Sequence, residues 1–89
     1  MSRYIGRKID ANQTEIVQAL RAVGAHVYVI GEPADLLVLY RGVWHVAELK
    51  GVDKRLTKKQ KKFLGDIPPG AATVVHSVDE ALKAIGATK

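Results

Sequence analysis

The sequence predicts one small α/β domain in which helices flank a mixed sheet, with the elements in the order α-β-β-β-α-β-α. Three segments begin with a helix-capping residue that is followed three positions later by Gln or Glu, which is typical of helix starts. Four short segments rich in Val, Leu, Tyr and Trp are bounded by turn residues, as strands are. With 89 residues, 47% of them hydrophobic, the chain has room for a single domain over residues 1–89.

The first element is a helix that begins at the cap Asp10, paired with Gln13, and runs to about Val23. Its apolar residues recur at helical spacing, and Gly24 supplies the backbone conformation that often ends a helix. Three strands follow at residues 25–30, 36–41 and 44–49. The second of these is apolar at nearly every position, which predicts a central strand covered on both faces. We also expect Trp44 to lie in the core, with an exposed position in a dimer interface as the alternative.

The hairpin between the second and third strands decides which side chains meet. A two-residue loop at 41–42 places Asp35 opposite Glu48, and a loop at 42–43 places Asp35 opposite Lys50. Both registers remain open from the sequence. Because side chains alternate along a strand, either loop puts all three residues on one face of the sheet.

The second helix begins at the capping pair Thr57 and Gln60 and ends before Pro68. Its helical wheel separates an apolar stripe that includes Gln60 from a lysine-rich side. A fourth strand, residues 72–76, leads to a third helix that begins at Ser77, paired with Glu80. The residues of the stripe are Leu56, Gln60, Phe63 and Leu64.

Two carboxylates that converge on an apolar sheet face are costly unless a cation accompanies them. Mg²⁺ suits this pair because it prefers oxygen ligands, takes one or two carboxylates, and leaves positions for water and phosphate oxygens. We therefore interpret Asp35 and Glu48 as metal ligands, and Lys50 as a point charge that stabilises the transition state. The alternative is a structural ion pair of Lys50 with Glu48 or with Asp35.

Basic residues are concentrated in one segment of a chain whose net charge is +5. Half of all Lys and Arg residues fall within the thirteen positions 50–62, which favours contact with a phosphate backbone. The alternative is a solvated helix surface. Outside Lys50, the predicted DNA-binding residues are Lys54, Arg55, Lys58, Lys59, Lys61 and Lys62.

The segments GEPADL at 31–36 and ELK at 48–50 resemble the motif of the PD-(D/E)XK nuclease superfamily. Within it, the pattern is most similar to stand-alone, phage-type members of the virus-type replication-repair nuclease (VRR-NUC) family, over residues 10–64. One departure is that Ala34 separates Pro33 from Asp35, whereas family members often have Pro directly before the Asp.

The resemblance implies a restriction-endonuclease-like fold and hydrolysis of DNA with Mg²⁺, which Mn²⁺ can replace. It also implies a homodimer that acts on branched DNA, such as Holliday junctions or flaps, during phage or prophage replication, recombination or repair in a bacterial host. Gln60 matches a Gln that family members carry in this helix, although its capping role competes for the same amide. Glu15 resembles an acidic residue of the first helix in many superfamily members, with a surface glutamate as the alternative.

Other chemistries are disfavoured by the sequence. The chain has no cysteine, which excludes zinc–thiolate sites and thiol nucleophiles, and its three histidines lack metal-binding spacing. No apolar run is long enough for a signal peptide or a membrane span, so we expect a cytoplasmic protein. Two rivals to the nuclease remain: a nucleic-acid-binding module that uses residues 50–62 without cutting, and a structural interaction protein.

Overall fold

The computed structural model describes residues 11–51 and 55–87, which fold into the seven predicted elements in the predicted order. The first helix therefore follows its predicted cap, Asp10, which lies outside the described residues. No helix in the described ranges is long and apolar enough to cross a membrane. The elements are α1 (Ala11–Ala22), β1 (His26–Val29), β2 (Leu36–Tyr40), β3 (Val43–Leu49), α2 (Lys58–Asp66), β4 (Thr73–Val75) and α3 (Val78–Ala84).

The four strands form one mixed sheet in the order β1-β2-β3-β4. The β1–β2 and β2–β3 pairs are antiparallel, whereas β3 and β4 are parallel. Parallel neighbours need a long crossover, and the connection that contains α2 supplies it. The chain is thus a small α/β domain with a mixed sheet and three helices.

The β2–β3 hairpin adopts the first of the two predicted registers. Tyr40 pairs with Val43, so the loop consists of Arg41 and Gly42, whose φ angles are 51° and 79°. Two consecutive positive φ angles are characteristic of the turns that match the twist of antiparallel strands. The pair furthest from the loop is Leu36 with Ala47. The next position along the two strands therefore places Asp35 toward Glu48.

The hydrophobic core lies on one face of the sheet, where α1 and α3 pack against it. On β2 the buried side chains are Leu36, Val38 and Tyr40, while the alternating positions Leu37 and Leu39 are only half-buried. Among the residues described, β2 is therefore fully covered on the core face and only partly covered on the other, where the prediction expected cover on both. The core cluster comprises Ile16, Val17, Leu20, Ala25, Val27, Leu36, Val38, Tyr40, Ala47, Leu49, Val75, Ala81 and Ile85.

The second face of the sheet, which we call the site face, contacts α2 only at the end where Asp35 and Glu48 lie. Trp44, at the other end of β3, is 53% exposed, so the prediction that it belongs to the core is wrong. The physical reason is its position in the alternation: Trp44 shares the face of Glu48, and the packed helices lie on the opposite one.

Two helix caps can be compared with their predicted form. Thr57 and Gln60 make the full reciprocal capping box at the start of α2. At α3, the Ser77 hydroxyl accepts a hydrogen bond from the Glu80 backbone N–H at 3.1 Å. The Glu80 carboxylate, however, accepts from the backbone N–H of His76 at 2.8 Å, one residue before the cap. The predicted reciprocal bond is therefore displaced by one residue.

Candidate active site

Asp35 and Glu48 meet at the end of the site face where β3 pairs with β4. Glu48 is 2% exposed and is the only buried charged residue among those described. Asp35 precedes β2 directly and is half-buried, and its Oδ2 accepts a hydrogen bond from the backbone N–H of Leu49 at 2.8 Å. This bond holds the aspartate carboxylate against β3, beside the glutamate. The two carboxylates therefore lie next to each other, in the position that one of the two predicted hairpin registers gives them.

The environment of Glu48 makes its ionised form unfavourable in the absence of a cation. Burial, followed by a hydrogen bond with Asp35 and the charge of that residue, raises the pKa of Glu48 from its ordinary 4.5 to about 7. The charge of Lys50 and a hydrogen bond from Gln60 act in the opposite direction and are weaker. Below about pH 7 the pair therefore holds a proton that a divalent cation would displace.

Gln60 links the start of α2 to Glu48 through the two ends of one amide group. Its Oε1 accepts a hydrogen bond from the backbone N–H of Thr57 at 2.8 Å, and its Nε2 donates to Glu48 Oε1 at 3.2 Å. The prediction that capping and site contact compete for this side chain is wrong, because the oxygen serves the cap and the nitrogen serves the carboxylate. A glutamate here would keep the cap but bring a third carboxylate to the pair.

A cavity of about 260 Å³ opens above the carboxylate pair. It is large enough for a hydrated ion and phosphate oxygens, since a water molecule takes roughly 30 Å³ in the liquid. An exposed ion pair, Lys59 Nζ to Glu32 Oε2 at 3.0 Å, connects α2 to the loop before β2 at this cavity. The lining residues are Gly31, Glu32, Pro33, Asp35, Glu48, Thr57, Lys59, Gln60 and Phe63.

Lys50 lies next to this cavity without lining it. Its backbone N–H donates to Val75 at 3.0 Å, which continues the β3–β4 ladder by one residue, and its side chain is half-buried. The charge is near enough to lower the pKa of Glu48. It nevertheless forms no ion pair within 4.0 Å with either carboxylate. The structural ion pair that the sequence left open is therefore absent between these residues.

Glu15 is not brought to the carboxylate pair. Its neighbours Ile16 and Val17 are buried in the core, on the face of the sheet opposite Asp35 and Glu48. The glutamate itself is exposed and does not line the cavity. The assisting role that the resemblance implied for Glu15 has no contact to support it, and the alternative of a surface glutamate describes its position.

The exposed basic residues of α2, together with Arg55 shortly before it, form a surface beside the cavity, which we call the basic surface. As the helical wheel predicts, Leu56, Gln60, Phe63 and Leu64 are half-buried, while the charged positions face solvent. Lys59 and Lys62 are engaged in surface ion pairs, the latter with Asp66 at 2.9 Å. Lys54 lies outside the described residues. The exposed predicted DNA-binding residues are Arg55, Lys58, Lys59, Lys61 and Lys62.

Several features of the site were not predicted from the sequence. Glu32 and Phe63 line the cavity beside the carboxylates. Glu32 belongs to the GEPADL segment, so its place close to the strand was an available signal. The exposed pair Tyr28 and Trp44 was missed because its exposure depends on where distant helices pack.

The donor set fits a hard divalent cation. Asp35 and Glu48 offer oxygen atoms only, and the buried Glu48 has no cationic side chain within ion-pair distance. Across residues 11–51 and 55–87 no group of three or more His, Cys, Asp or Glu side chains is placed to hold a metal. A two-carboxylate set with water and phosphate completing the coordination is characteristic of Mg²⁺ rather than of Zn²⁺.

Comparisons of the chain with protein-family models, with curated proteins and with solved structures give no match. The likeness to the PD-(D/E)XK superfamily thus stays an expectation carried by the motif residues. The function proposed below rests on those residues and on the geometry of the cavity.

Proposed function

We propose that this protein is a Mg²⁺-dependent DNA endonuclease with a restriction-endonuclease-like fold. The observation that carries the proposal is the meeting of Asp35 with the buried Glu48 at the floor of an open cavity that adjoins the basic surface. A buried carboxylate without a cationic partner is costly. A cation bound by Glu48 and Asp35, together with a polyanionic substrate, would offset this cost.

Asp35 and Glu48 would hold the cation. When bound, Mg²⁺ would activate water for attack on a phosphodiester and neutralise charge that develops on the phosphate. Leu49 keeps the Asp35 carboxylate in place through its backbone N–H, and Gln60 does the same for Glu48 through its side-chain amide. Lys50, beside the pair, contributes positive charge that favours a phosphate with additional negative charge.

The basic surface would position the substrate. Phosphate contacts fix the register of a protein on DNA without selecting a sequence. The exposed side chains of Arg55, Lys58 and Lys61 suit such contacts, and the two lysines lie on the helix that also delivers Gln60 to the cavity. DNA held along α2 would therefore pass the carboxylate pair.

Further properties are proposed from the family likeness. They are a preference for branched DNA, such as Holliday junctions and flaps, a homodimer that presents two sites to two strands, and a role in phage or prophage DNA processing. A symmetric pair of sites suits a symmetric junction, because a two-fold dimer presents the same surface twice.

A cleavage panel tests the proposal. Purified protein is incubated with plasmid, flap and four-way-junction DNA in Mg²⁺, Mn²⁺ or chelator, alongside Glu48→Gln, Lys50→Ala and the control Asp79→Asn on the exposed first turn of α3. We expect metal-dependent cleavage by the unchanged protein and by the control, and its loss in the other two variants. Cleavage in chelator, or cleavage that survives both substitutions, would contradict the assignment.

A second candidate is a nucleic-acid-binding module that does not cut. The observation in its favour is that Lys50 does not line the cavity. This candidate predicts binding of DNA by the basic surface with no cleavage in any metal, and unchanged affinity in Glu48→Gln. The same panel, read together with a binding measurement, separates it from the nuclease.

A further inference from the structure

The site face carries a pair of exposed aromatic rings beyond the carboxylates. Tyr28 on β1 and Trp44 on β3 are 52% and 53% exposed, and their ring centroids lie 6.3 Å apart at an interplanar angle of 36°. Their strand partners on β2 are Leu37 and Leu39, which are half-buried. The two rings thus lie side by side above the middle of the sheet, each with about half of its surface open to solvent.

These rings share a face with the proposed active site. Trp44 precedes Glu48 by four positions on β3, an even number, so both side chains project from the same side of the sheet. At about 3.3 Å per residue, the two positions are roughly 13 Å apart along the strand. Tyr28 pairs with Leu37, which is two positions from Asp35. By this register Tyr28 lies in the row of side chains next to the carboxylates, and Trp44 lies one row further along the sheet.

The carboxylate pair lies between two surfaces of different chemistry. On one side, the basic surface of α2 carries the exposed lysines; on the other, the site face carries Tyr28 and Trp44 with His26, Leu37, Leu39 and Val46 around them. Among these described positions there is no acidic group to repel a phosphate chain, and no Lys or Arg to read a base edge. Phosphates suit the first surface, and flat apolar groups suit the second.

Unpaired nucleic-acid bases are the flat apolar groups that this arrangement fits. Single strands are bound by aromatic side chains on which bases stack, combined with a nearby positive surface for the backbone. Exposed aromatic residues on a sheet serve this purpose in RNA-binding domains. Interior bases of a duplex are already stacked on their neighbours, so a protein ring reaches them only if the duplex is unstacked.

We propose that Tyr28 and Trp44 form a stacking platform for unpaired nucleotides next to the cleavage site. This inference deepens the proposed function and rests on it, since it takes the occupant of the neighbouring cavity to be a DNA phosphate. The substrate class is then DNA in which a duplex segment, held by the basic surface, continues into a single strand that crosses the site face. Because stacking uses the flat face that every base has, the contact tolerates any sequence.

Trp44 is the only tryptophan of the chain, so its fluorescence reports on this one position. The first experiment titrates the full-length protein, in chelator, with a single-stranded oligonucleotide and with a blunt duplex of the same sequence. We expect saturable quenching of the fluorescence by the single strand and little change with the duplex. Binding of the single strand, detected by anisotropy of a labelled oligonucleotide, without any quenching would overturn the platform.

Matched variants supply the second experiment. Trp44→Leu keeps an apolar side chain but removes the ring, and we expect it to weaken single-strand binding about 5- to 150-fold, the range for removal of one stacked base. Trp44→Phe should retain most of the affinity. Val43→Ala is the control, because Val43 is similarly exposed at 54% on the same strand but projects from the other face. Neither variant at position 44 should alter binding of the blunt duplex.

Two outcomes would assign the face to another role. Equal single-strand affinity in Trp44→Leu and the unchanged protein would overturn the platform. Sedimentation gives the second outcome. If the unchanged protein is a dimer, Trp44→Leu is a monomer and both bind DNA equally well, the rings join two copies of the chain and the platform is overturned. A melting curve for Trp44→Leu close to that of the control confirms that the variant is folded.

The two proposals fail in distinguishable ways. Quenching by single strands without cleavage of any DNA would overturn the nuclease and leave the platform standing. Cleavage of flap DNA that Trp44→Leu performs as well as the unchanged protein would leave the nuclease standing and overturn the platform.

Discussion

The two faces of the sheet differ in packing and in chemistry. On the core face, α1 and α3 bury the aliphatic side chains Leu36 and Val38 almost completely. On the site face, α2 reaches only the carboxylate end, and Trp44 at the far end is half-exposed. The core face therefore supplies most of the hydrophobic stabilisation. The site face keeps a costly buried carboxylate, and this is why we propose binding and chemistry for that face.

The largest expected effect is on the site face. Glu48→Gln removes a proposed metal ligand, and we expect DNA cleavage to fall roughly 100- to 1,000-fold, because a catalytic metal contributes several kcal/mol to the transition state. The same change removes a buried ionisable group, so the free energy of unfolding at neutral pH should stay equal or rise. Single-turnover cleavage and urea denaturation measure the two quantities. If Glu48→Gln lost activity because it was unfolded, Glu48 would contribute to stability as the core residues do, and the two faces would not differ in this respect.

A matched pair of leucines tests the core face. Leu36 and Leu37 are adjacent on β2, the first fully buried on the core face and the second half-buried on the site face. We expect Leu36→Ala to lower the free energy of unfolding by about 2–5 kcal/mol, the range for buried leucines, and Leu37→Ala to lower it by less than half as much. Urea denaturation gives both values. Equal losses would show that the site face is packed as tightly as the core.

Gln60 joins the packing of α2 to the chemistry of the site. Gln60→Glu keeps an acceptor for the Thr57 N–H but replaces the donor to Glu48 with a negative charge. We expect stability to change by about 1 kcal/mol or less, since the cap is retained, while cleavage at neutral pH falls at least roughly tenfold. Gln60→Ala, which can make neither hydrogen bond, is the comparison. If Gln60→Glu were as active as the unchanged protein, Gln60 would be a cap alone.

The proton held at Glu48 predicts a pH dependence. Its pKa is about 7 in the folded protein against an ordinary 4.5. The resulting stabilisation is therefore fully present below about pH 4.5 and is lost as the pH rises through about 7. Without metal, the melting temperature should fall over this interval more in the unchanged protein than in Glu48→Gln. Addition of Mg²⁺ should raise it most above about pH 7, because the cation competes with the proton. Parallel curves for the two proteins would contradict the assigned proton.

The smallest effect concerns the basic surface. The double change Lys58→Ala with Lys61→Ala removes two exposed charges and should alter the free energy of unfolding by less than about 0.5 kcal/mol. The slope of log affinity against log salt for duplex DNA should become shallower by about 0.9 for each phosphate that the variant no longer neutralises. Fluorescence anisotropy at several salt concentrations measures this slope. An unchanged slope would place the DNA elsewhere.

The sequence predicted the features that depend on neighbouring residues. Alternation along the hairpin puts Asp35 and Glu48 on one face of the sheet with either two-residue loop, and the capping pattern locates the start of α2. The features that it missed depend on long-range packing. Trp44 is exposed because no helix in the described residues covers that end of the site face, and nothing local to the strand specifies where a helix packs. Glu15 was assigned by likeness, and its helix packs on the opposite face.

The central claim is that Asp35 and Glu48 together hold the catalytic cation. The most direct test is to grow crystals with Mn²⁺ in place of Mg²⁺ and to locate the ion by its anomalous scattering, in the unchanged protein and in Glu48→Gln. We expect a peak between the two carboxylates of the unchanged protein and none at that place in the variant. A peak bound elsewhere, or a peak that persists in Glu48→Gln, would contradict the claim.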